Sequence, residues 1–396
     1  MSQLMNTYNR WPITVDYGKG SYLWDTDGKC YLDYTSGIAV NQFGHAYPPL
    51  VETIQKQAEK LLHVSNLFHI PNQENLAELL VEEAGYGKVF FCNSGAEANE
   101  AAIKLARRYH QKLQNQMRYE IITFEKSFHG RTLTTITATA QPKYQEGFAP
   151  LPEGFIYCPL NDIDAVEQRI SDKTAAILFE LVQGEGGVHQ VDRTFLQQLQ
   201  KLAERHGILL IVDEVQTGMG RTGSMFAWQQ FDFQPDIFTL AKGLGGGLPI
   251  GACIAKEQIA EAFVPGAHAS TFGGNPMVTA AAATIIQQLQ KPEIQQLMTA
   301  NTDLLNGHLQ TLQTEFPNVI KAVRGLGLII GVGIDESVAV GDVIGKCRDK
   351  GLLITPAGDN TLRLLPPLNT NQTEIRQAID ILRAALQEVA GKTVNS

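Results

Sequence analysis

The chain has 396 residues, 44% of them hydrophobic and 18% charged, with 36 glycines. That is a folded protein with two to three domains' worth of chain, which excludes a disordered segment or a coiled coil. A net charge of −9 makes nucleic acid and anionic membrane surfaces poor partners, and no apolar run approaches the ~18 residues of a membrane span.

Residues Met1 to Arg10 carry no basic stretch followed by an apolar one, so no signal peptide is read. Residues 15–45 read as short strands and turns, with a turn at Trp24 to Gly28. Six apolar runs follow, bounded by polar residues or glycine: 89–92, 121–124, 175–179, 208–212, 237–240 and 252–255. Each reads as a buried strand. Between the third and fourth, Asp192 is expected to cap a helix with an apolar face of Phe195, Leu196, Leu199, Leu202 and Ala203, ended by Gly207. Apolar strands alternating with helices predict a mainly parallel α/β sheet covered on both faces. An Ala-rich helix starts near Pro276 and runs past Ile286, and 326–330 and 361–365 read as strands of a second sheet. The expected division is a large domain over 46–285 and a smaller α+β domain over 286–396, with the segment 1–45 packing on the latter. Cys30, Cys92, Cys158, Cys253 and Cys347 are scattered, with no C-x-x-C, and read as reduced, mostly buried thiols of a cytoplasmic protein.

Two residues call for chemistry. Asp213 ends an apolar strand, where an unpaired charge is costly to bury. In an open α/β sheet the carboxyl ends of the strands are where ligands bind. A structural salt bridge is the plain alternative. Lys242 follows another apolar strand and enters a glycine-rich loop. A desolvated lysine is an amine nucleophile, and a snorkelling surface lysine is the alternative. Together they suggest pyridoxal phosphate, which requires a lysine to hold it, an acid opposite its ring nitrogen and a phosphate cradle. Ser94, Gly95 and Ala96 open a helix after a strand and offer such a cradle; Ser94 with Glu97 is equally a capping box. Gly218 to Gly223 matches G-x-G-x-x-G, but no clear helix follows, which disfavours a nicotinamide site. No Walker loop, H-E-x-x-H or G-x-S-x-G occurs. The histidines lack metal-ligand spacing and default to structural roles, so no metal is expected.

The segments Asn41–His45, Ser65–Phe68, Asn93–Ala98, Ser127–Arg131, Gln183–Gly187, Asp213–Gly218, Ala241–Gly243, Ser270–Asn275 and Arg363–Pro367 resemble the motifs of the class III (subgroup II) pyridoxal-phosphate aminotransferases of fold type I. The closest likeness is to the branch that takes N-acetyl-L-ornithine as amino donor. The resemblance implies a large domain with a mainly parallel seven-stranded sheet, a smaller α+β domain, pyridoxal 5′-phosphate as cofactor, and a homodimer with composite active sites. It implies that Lys242 holds the cofactor and shuttles protons, Asp213 keeps the ring nitrogen protonated, Gln216 donates to the phenolic oxygen, and Phe128 and Val215 flank the ring. Gly95 and Ala96, with Ser94, would cradle the phosphate, and Thr271 would reach the phosphate in the neighbouring subunit. Arg131 and Arg363 would clamp substrate carboxylates, and Ser270 would touch substrate from the second subunit. Glu185 would pair with Arg363 until 2-oxoglutarate displaces it. The implied reaction moves the δ-amino group to 2-oxoglutarate, giving N-acetyl-L-glutamate 5-semialdehyde and L-glutamate, a step of arginine biosynthesis. Related enzymes acting on free ornithine carry a tyrosine near Gly37–Val40, where this chain has none. Ornithine, succinylornithine and 4-aminobutyrate remain alternative donors. An isomerase or lyase of the same fold and a non-catalytic binding module are the readings from other classes.

Overall fold

A computed structural model describes residues 3–393; residues 1–2 and 394–396, the outer ends of the expected terminal segments, lie outside the described residues. Seven strands form the central sheet in the order Lys88–Cys92, Gly251–Ala255, Ile237–Leu240, Leu209–Asp213, Thr174–Phe179, Glu120–Phe124 and Phe155–Cys158. Only Gly251–Ala255 runs against its neighbours. The mainly parallel seven-stranded sheet implied by the resemblance is thus present.

Two faces are covered because the apolar runs are unbroken. Leu210, Val212, Ile177 and Phe179 enter one hydrophobic cluster, while their chain neighbours Leu209, Ile211, Ala176 and Leu178 enter the other. A strand's side chains alternate between faces, so a strand apolar at every position needs cover on both sides. Helix Arg193–His206 buries Phe195, Leu196, Leu199, Leu202 and Ala203 and ends at Gly207, where φ is +61°. Asp192 stands at its N-cap, but its carboxylate makes no capping bond; its amide donates to Asn161 Oδ1 at 2.9 Å instead.

The ends of the chain build two smaller sheets. Val15–Lys19, Tyr22–Asp25 and Cys30–Asp33 form a meander, and Leu352–Leu353 adds to it in parallel. Ile320–Leu326, Ile329–Ile334, Thr361–Leu364 and Thr355–Ala357 form the second. The expected strand over 326–330 is corrected here: those residues span a hairpin turn, with Gly327 at φ +59°. An apolar run containing glycine reads as a strand, but the left-handed glycine reverses the chain. The Ala-rich helix is Pro276–Leu289, capped by Asn275, whose side chain accepts from the amides of Met277 and Val278. Cys30 is exposed, the other four cysteines are buried, and all five are free thiols. No described helix is long and apolar enough to cross a membrane.

Candidate active site

A cavity of ≈ 410 Å³ opens at the carboxyl ends of the parallel strands, where an open α/β sheet places its ligands. It is lined by Asp213, Lys242, Phe128, Val215, Gln216, Ser94, Gly95, Ala96 and Arg131, so the structure brings most of the expected residues to one place.

Lys242 follows strand Ile237–Leu240 through Ala241 and adopts φ +42° at the start of a short 3-10 turn. A non-glycine residue rarely sits there. Its Nζ has no hydrogen bond or ion pair among the described residues. Burial lowers its pKa, and Glu185 is the strongest influence in the opposite direction. A buried amine with a lowered pKa and no partner is a nucleophile in waiting.

Asp213 ends strand Leu209–Asp213 and is 3% exposed. Three donors converge on it: Asn99 Nδ2 and His129 Nδ1 each donate to Oδ2 at 2.7 Å, and the Val215 amide donates to Oδ1 at 3.0 Å. The side chain is therefore fixed in place at the cavity wall.

Helix Gly95–Arg108 begins at Ser94, whose hydroxyl accepts from the Glu97 amide at 3.2 Å and donates to Glu97 Oε2 at 2.9 Å. The capping reading of Ser94 is thus realised, and its hydroxyl is engaged. The amides of Gly95 and Ala96 have no acceptor within the helix, as first-turn amides never do, and both residues line the cavity. A Cβ at Gly95 would meet Val215 Cγ1 at 2.7 Å, so the helix comes this close only because residue 95 lacks a side chain. Free amides at a helix N-terminus, apolar lining from Phe128 and Val215, a buried acid and an unpaired amine suit a planar, phosphorylated, cationic ring.

Glu185 and Arg363 pair at 2.5 Å, Arg363 2% and Glu185 22% exposed. Arg363 also donates to Gly184 O at 2.7 Å and to Gln216 Oε1 at 3.1 Å, while Gln216 Nε2 donates to Glu185 Oε1 at 3.3 Å. Burial raises the Glu185 pKa, but Arg363 and Lys242 outweigh it and the net shift is downward. Arg131 is exposed at the mouth, its guanidinium 4.1 Å from the Tyr144 ring centre and 5.6 Å from that of Phe128.

Ser270 and Thr271 are not at this cavity. They border a separate hollow with Asn66, where Ser270 Oγ accepts from Asn93 Nδ2 at 3.2 Å. Nor does Gly218–Gly223 open a helix: the enclosed Arg221 is fully buried and donates to Leu328 O, Pro366 O and Gln42. The segment ties both ends of the chain to the sheet instead of offering amides to a pyrophosphate.

Asn99, His129 and Glu180 join the site without an individual role expected from the sequence. His129 lies inside the motif Ser127–Arg131, where only a structural role is expected of it. Glu180 directly follows an apolar strand, as Asp213 does, and that pattern is its signal. Asn99 lies mid-helix and carries no local signal.

A model of the class-III aminotransferase family matches residues 4–386. An acetylornithine aminotransferase from Thermosynechococcus vestitus is 49% identical over 395 residues, 98% of this chain and 96% of that one. The solved N-acetylornithine aminotransferase from Stenotrophomonas maltophilia superposes with a TM-score of 0.84 at 36% identity, covering 97% of this chain and 98% of that one. An ornithine aminotransferase from Toxoplasma gondii, whose active site holds pyridoxal phosphate at partial occupancy, superposes with a TM-score of 0.92 at 30% identity, covering 98% and 93%.

Proposed function

This chain belongs to the class-III aminotransferases, and from that footing we propose that it moves the δ-amino group of N-acetyl-L-ornithine to 2-oxoglutarate in the cytoplasm, as a step of arginine biosynthesis. The observation that carries the reading is the meeting, in the lining of one cavity, of an unpaired buried amine at Lys242 and a three-times hydrogen-bonded acid at Asp213.

Pyridoxal phosphate, when bound, supplies an electron sink for the carbon that loses its proton. The rest falls to the protein. Gly95 and Ala96 direct amides, and the positive end of their helix, at the phosphate. Asp213, oriented by Asn99 and His129, holds a proton at the ring nitrogen by a charge already in place. Lys242 Nζ, with no competing partner, would take the proton from the substrate carbon that bears the amine and hold it at Nζ until it is given back. Phe128 and Val215 keep water off the ring faces. Arg131 at the mouth receives the donor's carboxylate, and Arg363 is shielded by Glu185 until a keto acid claims it. Donor and acceptor then use one site in turn.

The same proposal includes a homodimer in which Ser270 and Thr271 serve the partner's cavity, and a boundary between large and small domains near residues 46 and 286. Leu67, Phe68 and Phe272, 89%, 63% and 59% exposed, support an apolar face for the second subunit.

The test is the absorbance of the purified protein before and after N-acetylornithine is added, followed by parallel rates on N-acetylornithine, ornithine and 4-aminobutyrate with 2-oxoglutarate. The expected result is a cofactor band that the acylated donor changes and the highest kcat/KM on that donor. A faster reaction with free ornithine overturns the donor, and failure to consume 2-oxoglutarate overturns the transamination.

A further inference from the structure

Strand Thr174–Phe179 lies beside strand Leu209–Asp213 in parallel register, with Phe179 opposite Val212. The next residues, Glu180 and Asp213, therefore leave the sheet side by side. Both are buried, at 7% and 3% exposure, and both border the cavity. Oxygens of the two carboxyls and a ring nitrogen of His129 lie within 4.8 Å of one another.

Two carboxylates this close, out of water, do not both stay ionised. Their partners decide which one does. Asp213 accepts three hydrogen bonds. Glu180 Oε2 is buried with no partner, and so is His129 Nε2. Because His129 Nδ1 donates to Asp213, the Nε2 of a neutral ring is an acceptor. A carboxylate at Glu180 would add a second unpaired acceptor to the same dry corner, whereas a carboxylic acid brings the missing donor.

The charged groups around Glu180 agree with that assignment. Asp213 and Glu185 oppose its ionisation, and Lys242 favours it; the Phe128 amide also favours it, and Arg363 is already paired with Glu185. Burial dominates, and the net effect holds the Glu180 pKa well above the ordinary carboxylate range.

We propose that Glu180 is a positioning residue that stays a neutral acid and, with His129, forms a proton-holding pair behind Asp213, leaving Asp213 as the single buried anion for the cofactor's ring nitrogen. The part of this concerning the ring rests on the function proposed above; the protonation state does not. An ionised Glu180 would add a third negative charge, after Glu185 and Asp213, to those acting on Lys242 and draw a proton onto the amine that has to act as nucleophile and base.

The protonation state is tested without cofactor. An acid whose folded-state pKa is raised destabilises the fold as pH climbs from its unfolded value towards its folded one. Urea midpoints of the apo protein and apo E180Q are therefore compared from about pH 5 to about pH 8.5. The wild type is expected to lose stability relative to E180Q as pH rises. A flat difference, or E180Q weakening with rising pH, overturns the proposal. Infrared spectra of the apo wild type carrying ¹³C-glutamate need no variant. Glu214 is also raised, to about 7, by burial, so the spectrum is taken at about pH 8.5, where Glu214 has ionised. A labelled protonated-carboxyl band there supports a neutral Glu180, and its absence refutes it. In the holoenzyme, E180Q is expected to leave the pH midpoint of the cofactor's absorbance within about half a unit of wild type, where loss of an ionised neighbour would lower it by a unit or more. A missing cofactor band would count against the proposed function alone.

Discussion

The ion pair between Glu185 and Arg363 makes a quantitative demand. If Glu185 shields Arg363 from donors and yields it to 2-oxoglutarate, then binding the keto acid includes the work of breaking that pair. The contact is 2.5 Å long, and Arg363 is 2% exposed while Glu185 is 22% exposed. Hydrogen bonds to charged groups contribute about 1.5–3 kcal/mol. The exposure of Glu185 places this one at the low end, and glutamine keeps one acceptor, so about 1.4 kcal/mol is released in E185Q, a factor of roughly ten. Arg363 stays in place through Gly184 O, Gln216 and Thr355. The expectation is a KM for 2-oxoglutarate about tenfold lower in E185Q, with kcat/KM for the ω-amine donor lowered because Arg363 now attracts the wrong end of that molecule. Half-reactions followed separately by stopped-flow absorbance make the measurement. The pH sign is fixed as well. The Glu185 pKa is lowered in the fold, so the pair is intact above the ordinary carboxylate range and lost as pH falls; the difference between wild type and E185Q should shrink only in acid. An unchanged or higher KM for 2-oxoglutarate at neutral pH would refute the shielding role.

Two further outcomes follow from the packing. Arg221→Met strips the donor from Leu328 O, Pro366 O and Gln42 at a fully buried position and, with about 1–3 kcal/mol for each buried acceptor left unpaired, should cost about 3–5 kcal/mol in urea denaturation; a loss below about 1 kcal/mol would show that the cross-link between the chain ends is dispensable. Gly95→Ala drives a Cβ against Val215 Cγ1, and overpacking of about 1–3 kcal/mol should weaken cofactor binding roughly five- to 150-fold in an apo-reconstitution titration. Unchanged affinity would remove Gly95 from the cradle.

What was legible in the chain is what local rules govern. The six apolar runs all form strands of the central sheet, and helix Arg193–His206 buries the five residues its periodicity named, because burial on both faces leaves no polar position to disguise the pattern. The run 326–330 misled because periodicity cannot see a reversal: Gly327 lies against Thr222, with less than 3 Å between its absent Cβ and that backbone, and this neighbour is a hundred residues away in the chain. Asp213 and Lys242 stood out because each is a charge where charge is costly. Asn99 did not, because a polar residue in a helix is unremarkable until the helix is known to turn it onto Asp213. Glu180 carries the same signal as Asp213, a carboxylate directly after an apolar strand.

The backbone around the cavity supplies the last step. Ser36, Gly37, Ile38 and Ala39 all have positive φ, between +47° and +65°, and Lys242 has φ +42°. Only one of these five is glycine. Each such residue costs of order 1–3 kcal/mol and persists only where its surroundings over-determine it. Those restraints are visible: Asp33 Oδ1 accepts from the Thr35 amide, the Thr35 hydroxyl and the Ser36 amide, and the Ser36 hydroxyl donates to Leu365 O at 2.7 Å. The left-handed turn delivers Val40 to the cavity wall facing Lys242, and Leu365, its anchor, directly follows the strand Thr361–Leu364 that carries Arg363. The strained turn at 36–39 is thus tied, through Ser36 and Leu365, to the segment that carries Arg363. Relaxing it, by Asp33→Ala for instance, should raise KM for donor and keto acid together while leaving the absorbance of the bound cofactor in place; loss of that absorbance would mean the turn supports the cofactor site instead of the substrate site.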